Sequence, residues 1–288
     1  MFHGGMLSSA ANGVDDFLTG VQPPPGLYFL NYTFYYSSNR FKDTSKNEVD
    51  AGPLADFKAD IYGDVLRFIW VPEKDIRILG GKWVPDFGIP IMHKRIKTAA
   101  FDKSETGIGD IVIAPANLFY RWKDLHAIIY ADFFVPTGKY DKDEPVNIGN
   151  NHWTIKPTVA LTYMRGPWET TGIFHYDIHT TNNDYIDPRS GKETSHRSGD
   201  AFHVDFTFSR AFTPKFRAGL IGYFYQDLKN DKVNGKSVSD TKTGVWALGA
   251  GASRRFGKTN IFFKFQEEFL AENRPEGRTI WLRLVHSF

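Results

Sequence analysis

The sequence predicts an all-β protein, a transmembrane antiparallel β-barrel of about twelve strands. Apolar and polar residues alternate with period two along most of the chain, as in strands that have two different faces. Long polar loops alternate with turns of two to four residues. The sequence also ends on an aromatic residue, Phe288, which suits a closing strand whose end rests at the lipid interface.

The composition excludes several classes of function. The 288 residues include 35 basic and 33 acidic side chains with a net charge of +2, so no field of one sign indicates nucleic acid as a partner. The absence of cysteine excludes disulfides, cysteine-ligated metals and a cysteine nucleophile. Aromatic residues make up 16% of the chain, which suits a protein that presents rings to lipid. We expect no cofactor.

Average hydropathy is misleading for such a chain. The mean hydropathy of −0.37 and the lack of a long apolar run would classify the chain as soluble. A barrel strand, however, shows lipid only every second residue. Residues 1–20 lack the basic and apolar regions of a signal peptide. We therefore expect the mature chain of a protein of the bacterial outer membrane.

Residues 1–25 are predicted to form a leader without strands, and residues 26–288 a single barrel domain. The leader is rich in small and polar residues, and it ends in three consecutive prolines, which are stiff. Its small apolar cluster consists of Val14, Phe17 and Leu18. Because the leader is too polar to lie in lipid, we predict that it folds into the lumen and that this cluster plugs the pore. A periplasmic tail is the alternative.

The predicted strands come in pairs, each pair joined by a short turn and followed by a long loop. They cover residues 27–37, 57–71, 76–86, 106–122, 125–136, 152–164, 168–180, 199–212, 216–228, 241–256, 259–271 and 278–288. Long loops would face outward from the cell and short turns the periplasm. The closing strand is predicted to pair with the first. The second to fourth strands have the least regular alternation.

A soluble β-sandwich would show the same alternation, with its apolar face in the core. Strand length decides between the two, because about eleven to sixteen residues exceeds the five to six typical of soluble sheets. The polar faces would then line a lumen, where charges need partners or water. The residues predicted for the lumen and substrate path are Tyr130, Asp132, Phe134, Lys156, His175, Asp177, His203, Asp205, Tyr223, Tyr225, Lys264 and Glu268.

Three short motifs and the terminal phenylalanine carry a family resemblance. The motifs are Pro-Pro-Gly-Leu-Tyr at residues 24–28, Thr-Gly-Ile-Gly-Asp at 106–110 and Val-Pro-Thr-Gly-Lys-Tyr at 135–140. In their order and spacing the chain resembles the phenol meta-pathway degradation-like family of outer-membrane channels for hydrophobic compounds. The resemblance implies a monomeric barrel of about twelve strands with the leader folded into its lumen.

The histidines do not indicate a metal site by their spacing. His175 and His179 share a strand face but lie about 13 Å apart at roughly 3.3 Å per residue, which is too far for one ion. His203 would have to lie across the ladder to complete a site. We therefore predict solvated lumen histidines and no bound metal.

Two prolines, Pro115 and Pro157, lie within predicted strands, where proline removes a ladder hydrogen bond. A bulge or a strand end is the simplest interpretation. The sharper hypothesis is that one of them weakens the wall, so that an apolar substrate leaves the lumen sideways into the bilayer.

The sequence predicts passive transport of small hydrophobic or aromatic molecules, with the bilayer, lipopolysaccharide and a lumen-bound substrate or detergent as partners. A narrow porin for polar solutes and a purely structural barrel are the alternatives. A lipid hydrolase would need a serine and a histidine within reach of each other, and the chain has no Gly-x-Ser-x-Gly motif. We therefore predict that the protein is not an enzyme.

Overall fold

Twelve long antiparallel strands account for most of residues 11–288, the part of the chain that the computed structural model describes. The strands are β1 (Gly26–Ser38), β2 (Lys58–Val71), β3 (Gly81–Lys97), β4 (Asp102–Ile108 and Ile111–Trp122), β5 (Leu125–Val135), β6 (Thr154–Arg165), β7 (Trp168–His179), β8 (Ala201–Thr213), β9 (Phe216–Asp227), β10 (Gly244–Phe256), β11 (Thr259–Glu272) and β12 (Arg278–Ser287). Residues 1–10 of the predicted leader lie outside the described range.

The sheet closes on itself as predicted. β1 pairs with β12 from Tyr28 opposite Ser287 to Ser37 opposite Arg278, and its other edge pairs with β2. Every other strand pairs with its neighbours in sequence. No strand edge of the barrel is therefore left for lipid, which could not satisfy it.

The two ends of the barrel differ. Tight turns such as Gly257 to Lys258 close one end, where a φ of 58° at Gly257 requires a residue that tolerates the left-handed region. Long loops occupy the other end, and they form a small four-stranded sheet and a two-stranded sheet. These short strands are Asn182–Asp187, Lys192–Arg197, Lys232–Val233 and Lys236–Ser237, and Phe41–Lys42 with Arg274–Pro275. The asymmetry is that of an outer-membrane barrel.

The remaining described elements are small. Arg77–Ile78 pairs with the start of β3, and Gly52–Leu54 is a single 3-10 turn. Within residues 11–288 no helix has the length and apolar character needed to cross a membrane.

The lipid-facing surface of most strands carries large apolar side chains. Phe208 is 50% exposed and stacks on Trp168 with ring centroids 5.2 Å apart. Phe263 and Leu282, which are 53% and 49% exposed, lie opposite each other on β11 and β12. These rows form the apolar band that a membrane barrel requires.

The prediction for the third and fourth strands is wrong in its boundaries. Residues 90–104, which lie between the predicted strands 76–86 and 106–122, are mostly strand, because β3 continues to Lys97 and β4 begins at Asp102. The outward side chains of this hairpin are polar: His93 is bonded to Thr106 at 2.7 Å, and Arg95 forms an ion pair with Asp102 at 2.9 Å. Because polar residues occupy the outward face, the alternation of polar and apolar residues that predicts a membrane strand is missing here.

The first strand corrects the rule that polar faces line the lumen. Its apolar face is buried and points inward, whereas Asn31 and Thr33 point outward. There they bond the outward carboxylate of Asp64, at 2.5 Å from Asn31 Nδ2 and 3.1 Å from Thr33 Oγ1. The inward rings have apolar partners, since Phe34 packs against Trp281 at 4.7 Å. The part of the lumen that β1 faces is itself apolar. The apolar face of this strand therefore points inward and its polar face outward.

Candidate functional site: the lumen and its leader

The leader lies inside the barrel. The Lys264 ammonium of β11 donates hydrogen bonds to three consecutive leader carbonyls, those of Gly13 at 2.6 Å, Val14 at 2.8 Å and Asp15 at 2.9 Å. Lys264 itself is only 3% exposed. A buried ammonium needs this many acceptors, so the predicted lumen lysine serves as an anchor for the leader.

A second anchor joins the leader to the closing strand. Arg283 Nη2 on β12 donates to the buried Asp16 carboxylate at 2.5 Å, and Lys264 Nζ lies 4.0 Å from the other oxygen. Burial raises the pKa of Asp16 above its ordinary value, while Arg283 and Lys264 lower it. The two cations compensate part of the cost of burying this carboxylate.

The far side of the barrel holds the end of the leader. Leu18 N donates to Glu169 at 3.2 Å, and Gly20 N donates to Thr162 Oγ1 at 3.0 Å. Glu169 is itself 1% exposed and accepts from Thr171, Ser209 and Thr207. The leader therefore crosses the lumen from β11 and β12 to β6 and β7.

The three predicted plug residues all lie in the lumen. Phe17 is 4% exposed and packs with Ile221 and Phe262, and Leu18 lies against the same group. Val14 packs against the apolar cluster of the inward face of β1. Their position is compatible with the predicted plug, while their effect on transport stays a prediction.

The leader separates two lumen cavities. The first, of about 220 Å³, is lined at the leader by Ala11, Asn12 and Val14. The second, of about 250 Å³, is lined by leader residues from Asp15 to Pro23. Tyr32 and Arg67 border both cavities, so these two side chains and the leader stand between them.

The first cavity has a mainly apolar wall on β1 to β5. Its apolar lining residues are Phe34, Phe57, Ala59, Ile61, Val65, Met92, Ile96, Val112, Phe134, Ile148 and Trp281. Its charged lining groups are mostly paired with one another. Glu268 accepts hydrogen bonds from Tyr223 at 2.7 Å and Tyr36 at 2.9 Å, and Arg274 lies 3.3 Å away.

A charged cluster that the sequence did not single out lies between the two cavities. Arg67 forms two hydrogen bonds with Asp86, at 2.7 and 2.9 Å, and lies 3.7 Å from the predicted lumen residue Asp132. Asn117 donates to Asp86 at 2.7 Å. The irregular alternation of the second to fourth strands concealed Arg67 and Asp86, since it gave no phase from which to place them.

The wall opposite carries a pair of histidines. His175 on β7 lies directly across the ladder from His203 on β8, and their rings stack at 4.1 Å. They are 3% and 1% exposed and therefore buried. The prediction that they are solvated is wrong. Lys156 and Asp177 form an ion pair beside them at 3.4 Å. The strand register thus shows that His203 is the cross-ladder neighbour of His175. Residue spacing along one strand could not show this.

The family follows from a match along the barrel. The family model described as MetA-pathway of phenol degradation matches residues 38–284. The chain belongs to this family. The predicted resemblance is therefore confirmed over most of the chain.

Solved structures show the same fold for this member of the MetA-pathway family. An outer membrane channel from Pseudomonas putida F1 is 18% identical, with a TM-score of 0.84 over 96% of this chain and 100% of the other. The β domain of the Bordetella autotransporter BrkA is 10% identical, with a TM-score of 0.51 over 91% and 100%. No curated protein matches the chain. The fold is that of a β-barrel of the bacterial outer membrane, as predicted.

The predicted path residues of this MetA-pathway family barrel all point inward, but they divide into groups. Asp132, Phe134, Tyr223 and Glu268 line the first cavity, and Tyr130 the second. The others line neither of these two cavities and form the packed wall that holds the leader: Lys156, His175, Asp177, His203, Asp205, Tyr225 and Lys264. The residues that line the cavities and those that hold the leader are therefore mostly different side chains, although Glu268 and Lys264 share β11.

The two strand prolines differ in their surroundings. At Pro115 the register shifts on both sides of β4, between Val84 and Asp86 of β3 and between Ile113 and Leu118 within β4 itself, opposite β5. At Pro157 the ladder with β5 is continuous, and only the ladder with β7 is interrupted. Pro115 is therefore the weaker point of the wall.

Proposed function

We propose that the protein mediates passive uptake of small hydrophobic and aromatic molecules across the outer membrane, as a monomer surrounded by phospholipid and lipopolysaccharide. The observation that carries the proposal is the apolar wall of the 220 Å³ lumen cavity. The description of the family, phenol degradation, supports an aromatic substrate. Transport of this kind requires no reacting group, so the proposal is not that of an enzyme.

The cavity favours apolar molecules for a physical reason. A molecule that enters it leaves water for rings such as Phe34, Phe134 and Trp281, and each Å² of apolar surface removed from water contributes about 25 cal/mol. Charged groups of the lining, including Arg67 and Glu268, already have partners and offer little to a polar solute. Weak apolar contact suits transport, because a substrate must also leave.

The test compares an apolar and a polar solute. Cells of a Gram-negative host that lacks its major porins would express the protein, and the fluorescence rise of N-phenylnaphthylamine would report its penetration through the outer membrane. Proteoliposome swelling in arabinose would measure polar flux. We expect faster probe penetration and no swelling above that of empty liposomes. Rapid arabinose flux without a gain in probe uptake would overturn the proposal in favour of a narrow porin.

Two neighbouring residues of β5 provide matched variants. Phe134 lines the cavity, whereas the side chain of Phe133 points to the outer face opposite Ile113 and Ile155. Phe134→Gln should slow uptake of the apolar probe, and Phe133→Leu should leave it unchanged. Equal uptake by both variants would show that the cavity is not the path.

We also propose that the substrate leaves sideways near Pro115. The bulge there abuts the second cavity, whose lining includes Val84, Asn117 and Phe119 of the interrupted ladders. Trp83 Nε1 donates to the Pro115 carbonyl at 2.8 Å on the outer side, which satisfies one group that the ladder leaves free. A molecule in the second cavity would therefore meet the least continuous part of the wall.

A further inference from the structure

The histidine pair retains coordinating atoms that nothing else uses. His175 Nδ1 is bonded to Thr158 Oγ1 at 2.9 Å, and His203 Nε2 to Asp205 Oδ1 at 3.0 Å. The opposite nitrogens, His175 Nε2 and His203 Nδ1, are buried without a hydrogen-bond partner. Buried polar atoms are rarely left in this state, and a bound ion is one group that would satisfy them.

Two carboxylates complete the surroundings of the imidazoles. One ligand atom from each of His175, His203 and Asp205 lies within 4.8 Å of the other two. Asp15 of the leader places Oδ2 3.5 Å from His175 Nε2, and its backbone nitrogen donates to Asp205 at 3.2 Å. The donor set is therefore two imidazoles from the wall and one carboxylate from each side of the contact.

The charge around these groups favours a cation. Among the described residues, no lysine or arginine forms an ion pair with Asp15 or Asp205. The neighbouring ammonium groups are engaged elsewhere, Lys156 with Asp177 and Lys264 with the leader carbonyls. The buried Asp205 and the partly buried Asp15 thus have imidazoles as their nearest cationic partners, while Lys156 and Lys264 act on them from beyond ion-pair distance.

We propose that His175, His203, Asp205 and Asp15 form a binding site for a divalent transition metal ion of the zinc class. Imidazole nitrogen and carboxylate oxygen are ligands that zinc accepts together, whereas magnesium and calcium prefer oxygen alone. The Thr158 hydroxyl, bonded to the other ring nitrogen of His175, orients that ligand as metal-bound histidines require. Because Asp15 belongs to the leader, the ion would fasten the leader to β7 and β8.

Cobalt provides a direct optical readout. The full-length protein, purified in detergent without a polyhistidine tag and treated with EDTA, would be titrated with CoCl₂ and then with ZnCl₂. We expect a visible absorption band that saturates at a single ion per chain and disappears when zinc displaces cobalt. The absence of saturable stoichiometric binding would overturn the proposal.

Variants identify the ligands. His175→Gln and His203→Gln should each weaken cobalt binding by at least about tenfold. His93→Gln is the matched control, since His93 lies on the outer face of β3 bonded to Thr106. Binding that survives both lumen variants, or that is lost in the control, would contradict the assigned ligands. Heat-modified migration on gels would confirm that each barrel is folded.

Asp15→Asn tests the ligand from the leader independently of those from the wall. Asp15 lies outside every barrel strand, so its replacement leaves the ladder intact. We expect it to weaken binding by about tenfold. In the unmodified protein, zinc should lower single-channel conductance and EDTA should restore it. Cobalt binding unchanged by Asp15→Asn, or conductance unchanged by zinc, would refute the link to the leader.

Discussion

Asp16 of the leader and Arg283 of the closing strand form a buried ion pair with an Nη2 to Oδ1 distance of 2.5 Å, although 267 positions separate them in sequence. The pair lies between the leader and the seam where β12 meets β1. The position of the leader and the integrity of the seam are therefore linked by one contact.

Removing one member of this pair should release the leader. Arg283→Leu leaves the Asp16 carboxylate buried without its main partner, which costs about 3–5 kcal/mol for a buried pair. We expect higher and more variable single-channel conductance. The double variant Arg283→Leu with Asp16→Leu is the control, and its single-channel conductance should return most of the way to the low, steady value of the unmodified protein. Conductance that stays at the unmodified value in Arg283→Leu would contradict the anchor.

Deleting residues 1–20 should open the lumen. The deletion removes the segment from Asn12 to Thr19 that separates the two cavities, while β1 begins only at Gly26. We expect a severalfold increase in single-channel conductance. Phe17→Leu keeps the apolar contact with Ile221 and serves as the control. An unchanged conductance after the deletion would count against the plug.

Restoring the ladder at Pro115 should slow release. Two residues, Pro115 and Ala116, lie opposite the single residue Pro85. Deleting Ala116 together with Pro115→Val would equalise the two strands and supply the missing donor. We expect slower penetration of N-phenylnaphthylamine, while Pro157→Val leaves it unchanged. A rate that is not reduced in the altered β4 would exclude an exit at this bulge.

The outward carboxylate of Asp64 should reduce stability in lipid. Charged side chains on the lipid face are costly toward the middle of the bilayer and less so near its surface. Replacing Asn31 by Val and Asp64 by Leu together should raise the free energy of unfolding by about 1 kcal/mol, measured with urea in lipid vesicles. Asp60→Leu, nearer the loop end of β2, should have a smaller effect. A larger gain in the free energy of unfolding from Asp60→Leu than from the double replacement would show that Asp64 lies outside the apolar layer.

The loop residue His152 should make the long-loop end sensitive to acid. Burial and the neighbouring His179 lower the pKa of His152 to about 4, from an ordinary value of 6.5. The folded state therefore holds the neutral imidazole, and its contribution is full above pH 6.5 and is lost as the pH falls toward 4. The hydrogen-exchange protection factors of amides near residue 152, taken relative to the intrinsic exchange rate at each pH, should fall over this interval. His152→Gln should abolish that dependence, and a dependence that persists would assign it to another group.

The sequence predicted the barrel where each strand has one polar and one apolar face. From residue 202 to residue 209, β8 follows the rule, with Phe206 and Phe208 outward and Asp205 and Thr207 inward. The rule fails on β1, because its inward residues face apolar leader atoms and a cavity. Period-two alternation shows that two faces differ, but not which of them meets lipid when the lumen is itself partly apolar.

The contacts of the leader could not be predicted from patterns in the sequence. Lys264 and Glu268 could be placed in the lumen by the alternation of β11, yet nothing nearby in sequence indicates that Lys264 holds the carbonyls of residues 13 to 15. Glu169 and Arg67 escaped for a similar reason. Their partners come from distant strands, and the pairings depend on how twelve strands are arranged around one axis.

The anchors of the leader also bear on the order in which the molecule is assembled. The first described residues are held by Lys264 and Arg283, side chains that the ribosome adds almost last. Until the strands that carry them join the sheet, the leader can be held only by the acceptors on β6 to β8, which are Thr162, Glu169 and Asp205. Closure of the cylinder by β11 and β12 therefore also brings in the two cations that complete the binding of the leader. The step that seals the wall is thus the step that fixes the contents of the lumen.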